Sequence, residues 1–162
     1  MFEPSISSTF EQTPEIPHPR GVTSGQATHA GHLRDNNEDH LAVAADIGVF
    51  IVTDGVGGAP AGAVAARLAT AAMLHSLRGV PSGPEIPDAP AREPRGSAEM
   101  HGPRLIAAAL RAHTMIHDFA ARNRCHGAAT TMAALWVTRD HVHVANTGDS
   151  RVYRLCAGGL EQ

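Results

Sequence analysis

Apolar positions change their spacing several times along the chain, and each change marks an element. Leu41–Ala45 and Val49–Val52 are short apolar runs separated by Asp46-Ile47-Gly48, the pattern of two strands joined by a tight turn. The second run closes at Thr53-Asp54 on the glycine-rich segment DGVGG, which predicts a sharp turn. Beyond Pro60, the alanine-rich stretch Ala61–Leu77 places Val64, Leu68, Ala71 and Leu74 at helical spacing, predicting a buried helix. Leu105, Ala109, Ala112, Ile116 and Phe119 then predict a second, amphipathic helix reaching about Arg122. Thr130–Val137, His141–Asn146 and Val152–Leu155, divided by turn residues, read as three consecutive antiparallel strands. A parallel doubly wound sheet would need a helix between each strand pair, so helices beside hairpin-linked strands indicate an α+β fold.

The intervals between these elements have their own character. Residues 1–24 hold Pro4, Pro14, Pro17 and Pro19 among polar residues without any period, the mark of a flexible leader. Residues 79–103 hold six prolines with glycines and charges, the mark of a loop or insertion. The domain proper is expected over 25–162, and 162 residues suit one domain.

Composition removes whole classes of chemistry. All 13 basic residues are arginine, so a phosphate loop ending in lysine, a Schiff-base lysine and a kinase-type strand lysine are excluded. A net charge of -3 argues against a nucleic-acid partner. Cys125 and Cys156 have no CxxC spacing, the N-terminus lacks a signal-peptide pattern and no apolar run could span a bilayer. A cytoplasmic protein with no membrane partner is the expectation.

Three polar clusters could carry chemistry. In DGVGG, Asp54 closes a strand beside glycines that let a ligand approach the backbone. A carboxylate at the mouth of such a loop repels phosphate unless a divalent cation lies between them, so a metal comes first and a phosphate second. A dinucleotide-binding loop fits less well, because Pro60 stands where its third glycine belongs. In Arg34-Asp35-Asn36-Asn37-Glu38-Asp39, pairing of the first two strands would bring Glu38 and Asp39 beside Asp54, and Arg34 could grip a phosphate next to them. Asn146-Thr147-Gly148-Asp149-Ser150-Arg151 is an acidic turn between strands. Taken alone, DGVGG favours a metal site over a bland turn, whereas the other two clusters read more readily as a solvated loop and an ordinary hairpin connection. Other features have ordinary readings. His113 and His117 form an i, i+4 pair without a third ligand, His141 and His143 share an exposed strand face, and Trp136 and Phe119 belong to the core. Cys125 cannot begin a cysteine-phosphatase loop, since Thr131 stands where its arginine belongs.

Taken together, GHLRDNNED (31–39), VTDGVGG (52–58) leading into AGAVAARLA, and GAATTMAAL continuing to VANTGDSRVYRL (127–155) resemble the PPM-type (type 2C) metal-dependent serine/threonine protein phosphatases, in that family's order and spacing. The resemblance covers nearly everything after residue 25. It implies a four-layer α-β-β-α fold, an antiparallel β-sandwich flanked by helices, with two Mg²⁺ or Mn²⁺ ions that activate a water for attack on phosphoserine or phosphothreonine. Asp54 corresponds to the carboxylate bridging both ions, Gly55 to a carbonyl ligand, Glu38 and Asp39 to acids acting partly through water, Arg34 to the phosphate-binding arginine, and Asp149 to a ligand of a third, weaker ion. The implied partners are phosphorylated proteins, in opposition to a serine/threonine kinase, with a monomeric signalling enzyme expected. Val56 replaces a histidine found in many eukaryotic members and matches the bacterial type. The segment carrying two further metal-binding aspartates is not in the sequence, so a C-terminally truncated domain, or a noncatalytic phosphatase-like module, is the corresponding expectation.

Overall fold

The structure is a computed structural model that describes residues 22–56, 61–79 and 100–162. The expected leader lies outside the described residues except for 22–24, and so does most of the expected loop at 79–103. The chain forms strands β1 (Asp39–Ala44) and β2 (Val49–Val56), helices α1 (Ala61–Arg78) and α2 (His101–Asn123), and strands β3 (Ala129–Thr130), β4 (Met132–Val137), β5 (Val142–Thr147), β6 (Arg154–Cys156) and β7 (Gly159–Glu161).

The antiparallel sheet has the order β1-β2-β4-β5, with β3 extending the β4 side of β2. The β1–β2 turn is closed by Ile47 N–H to Ala44 O (3.1 Å) and Gly48 N–H to Ala45 O (3.2 Å), with Gly48 at φ 74°. β4 locks this turn, because Trp136 Nε1 donates to Ile47 O at 2.9 Å and Val137 N–H to Gly48 O at 2.8 Å.

Both helices pack on one face of the sheet. Val49, Ile51, Ala134 and Trp136 point into a core with Ala65, Ala69, Ala72, Met73, Leu105, Ala108, Ala112 and Ile116. Alternation puts Val43, Phe50, Val52, Leu135 and Val144 on the other face, where Val52 and Val144 are about half exposed. The described residues thus hold one helix layer and one sheet of the expected layers.

Four expectations need correction. The fully buried seam of α1 is Ala65, Ala69, Ala72, Met73 and Leu77, because alanines let the helix lie close to both the sheet and α2; Leu68 and Leu74 pack against its edge partly buried, and Ala71 is exposed. Helix α2 begins at His101, inside the expected loop. Pro103 is tolerated there because amides of a helix's first turn have no intrahelical acceptor. The strand expected at Val152–Leu155 does not extend the sheet. It is β6, paired with β7 in a separate exposed ribbon, and the chain leaves the sheet at Gly148, φ 88°. Phe119 is only half-buried at the periphery of the core, which Ile116 closes at that end of α2.

Candidate functional site

The decisive geometry is the β1–β2 register. Asp39 is paired directly with Asp54, so the acidic segment before β1 meets the end of β2, as strand pairing requires. The segment is fastened as it arrives. Asn37 donates from Nδ2 to Thr28 Oγ1 (2.7 Å), its Oδ1 accepts from the Asp39 N–H (3.0 Å), and Glu38 O accepts from the Gly55 N–H (3.2 Å). Strand β2 runs on through Asp54-Gly55-Val56, into the segment where the DGVGG turn was expected, whose Gly57 and Gly58 lie outside the described residues. Gly55 pairs with Thr130 and Val56 with Ala129.

Gly55 is required by close approach, not by turning. A Cβ there would lie 2.2 Å from Gly62 O and 2.8 Å from Glu38 O, so the first turn of α1 rests against the strand's backbone. Gly62 is needed likewise, since a Cβ on it would lie 2.7 Å from Glu38 Oε2. The Glu38 carboxylate is therefore held against the start of α1, where the helix dipole favours negative charge.

Arg34, Glu38, Asp54, Gly55 and Val56 line a cavity of about 280 Å³. Asp39 is held above the ordinary carboxylate range, first by burial, then by the Asp54 charge and a hydrogen bond with Asp54. Glu38 adds to this and Arg34 opposes it. Crowded carboxylates with a single arginine beside them are the arrangement a hard divalent cation relieves, so the donors fit Mg²⁺ or Mn²⁺ in kind. In number they supply part of a shell: among the described residues no group of three or more His, Cys, Asp or Glu side chains is placed to hold an ion.

Asp149 is exposed and does not line the cavity. Its turn is tied to Asp54 through hydroxyls that were not singled out in the sequence. Thr131 Oγ1 accepts from the Asp54 N–H (3.1 Å) and shares a hydrogen bond with Ser150 Oγ, while Thr130 Oγ1 donates to Asp54 O (3.0 Å). The available signal was two adjacent threonines entering an otherwise apolar strand. His113 and His117 are exposed and flank a larger apolar groove of about 840 Å³ between α2 and strands β3–β5, which includes none of the acidic residues. His143 is half-buried against the ring of His101, not exposed as expected, because its side chain faces the helix layer beside Trp136.

The profile of the protein phosphatase 2C family matches residues 28–160. The chain belongs to that family. Its fold is similar to a solved structure of the Mycobacterium tuberculosis serine/threonine phosphatase PstP/Ppp, with 28% identity and a TM-score of 0.67 over 84% of this chain and 51% of that one. The PstP catalytic domain in complex with two manganese ions is similar at 27% identity and a TM-score of 0.65, over 83% and 51%. PppA of Pseudomonas aeruginosa, a regulatory component of T6SS, shares the fold at 24% identity and a TM-score of 0.61, over 83% and 52%. No curated protein matches the chain. This protein phosphatase 2C chain spans about half the length of these solved structures. Among its described residues no helix is long and apolar enough to cross a membrane.

Proposed function

We propose that this chain contributes to metal-dependent hydrolysis of phosphoserine and phosphothreonine on proteins, as the N-terminal portion of a protein phosphatase 2C catalytic domain. The observation that carries this reading is the convergence of Arg34, Glu38, Asp54 and Gly55 on one cavity, with Asp39 opposite Asp54. Asp54 and the Gly55 carbonyl would hold the cations directly, Glu38 and Asp39 would add to the shell partly through water, and Asp149 would serve a third, weaker ion. Bound Mg²⁺ or Mn²⁺ supplies Lewis-acid polarisation of the phosphoryl group and of the attacking water. The manganese in the similar PstP domain supports that assignment.

The chain's own side chains do the rest. Arg34 offers a planar guanidinium for two phosphoryl oxygens and keeps the dianion beside the acids. Val56 on the cavity wall can give no proton, so solvent protonates the departing alkoxide. Phosphorylated proteins are the substrates of this reading, with a serine/threonine kinase as the opposing activity, in cytoplasmic signalling by a monomer.

The test is Mn²⁺-dependent release of phosphate from a phosphothreonine peptide, comparing the wild type with Asp54→Asn. Loss of about 100-fold or more in turnover is expected, as for removal of a group acting directly on the reacting centre. Metal-independent turnover that Asp54→Asn leaves intact overturns the reading.

A further inference from the structure

We propose that Thr131 is a positioning residue that sets Asp54 for metal binding and couples it to the Gly148–Ser150 turn. The proposal rests on the metal-dependent reading above. Thr131 is buried, at 7% exposure, and stands between β3 and β4 in the strand register that pairs with β2. Every functional part of this residue is engaged. Its N–H donates to Asp54 O at 2.8 Å, and its Oγ1 accepts from the Asp54 N–H at 3.1 Å. The same hydroxyl shares a hydrogen bond with Ser150 Oγ. Its methyl side bounds the turn: a Cβ on Gly148 would lie 2.8 Å from Thr131 Cγ2, and Gly148 has φ 88°.

Asp54 sits at the end of the β1 ladder, where Asp39 is the last residue paired with β2, and from there β2 is held on its β3 side. Thr131 and Thr130 together clamp both main-chain polar groups of Asp54, fixing the point from which its carboxylate projects. The Thr131 hydroxyl does more than satisfy a buried amide, because its second bond reaches the neighbour of Asp149. A small shift of the turn at 148–150 is thereby transmitted through one oxygen to the backbone of Asp54. Groups that orient metal ligands from behind influence affinity strongly without touching the ion.

The test compares Thr131→Val, which keeps the shape and loses the hydroxyl, with Thr131→Ser, which keeps the hydroxyl. Each is titrated with Mn²⁺ by calorimetry, and hydrogen exchange of the Asp54 amide is followed by NMR without metal. Thr131→Val is expected to weaken Mn²⁺ affinity about 10-fold and to speed exchange at Asp54, with Thr131→Ser close to wild type. Wild-type affinity in Thr131→Val, together with lost binding in an Asp54→Asn control, overturns this proposal and leaves the metal reading standing. Unchanged binding in Asp54→Asn overturns both. Should Thr131→Val fail to fold, Ser150→Ala breaks the same bond from its other end. A weakened affinity there supports the coupling, and an unchanged one overturns it.

Discussion

Asp39 and Asp54 occupy one cross-strand pair of the β1–β2 ladder, two acids where a sheet ordinarily pairs complementary or apolar side chains. Like charges placed directly opposite oppose folding, so the site is built against the stability of the sheet. Asp54→Asn is expected to raise the metal-free unfolding free energy by about 0.5 kcal/mol. Urea unfolding in the presence of a chelator measures it, and a loss of stability would show that the carboxylate is a structural group.

Thr53 carries the join between β2 and α1. Its hydroxyl is fully buried and lies 3.0 Å from His40 O, 3.2 Å from Ala66 O and 3.1 Å from Thr70 Oγ1. Thr53→Val keeps the volume and removes the bonds. It should cost about 1–2 kcal/mol in denaturant unfolding. Adding Thr70→Val should cost less than it does in the wild type, since the two hydroxyls share a partner.

Gly55 tolerates no side chain. Gly55→Ala must drive a methyl into the Gly62 carbonyl, a backbone group with no rotamer to escape by. A loss of about 3 kcal/mol is expected by thermal or urea unfolding, where the same replacement in an unhindered strand would gain about 0.5–1 kcal/mol.

Acid should weaken the fold before the carboxylates titrate. His143 is lowered from 6.5 by burial, then by His101 and His141, and His40 is lowered by burial, then by Arg67. His143 Nε2 is buried without a hydrogen-bond partner, His101 on α2 stacks on its ring at 5.3 Å, and the His141 ring lies 6.1 Å away. A histidine whose folded value lies below its unfolded one binds protons more readily when unfolded. The stability it contributes is therefore present above pH 6.5 and lost as pH falls through the folded value. Urea midpoints should decline from about pH 7 to pH 5, and His143→Phe should flatten that slope.

Much of this was legible because strand pairing is a local rule. Once Leu41–Ala45 and Val49–Val52 form a hairpin, Asp39 must approach Asp54, whatever the rest of the chain does. The role of Gly55 was not legible, because a glycine needed for helix approach and a glycine needed for a turn look alike in sequence. The seam of α1 was misread for a related reason: leucine and valine carry the hydropathy signal, yet close packing selected Ala65, Ala69 and Ala72. The Thr131 bridge joins residues distant in sequence through side-chain bonds, which periodicity does not encode.

Trp136 is the chain's sole indole. Its ring meets His101 edge-on at 4.5 Å and lies 4.8 Å beneath the Arg104 guanidinium, at the joint between α2 and the sheet. The molecule thus carries an intrinsic fluorophore at the joint between α2 and the sheet, whose emission reports α2 docking in any variant without a label.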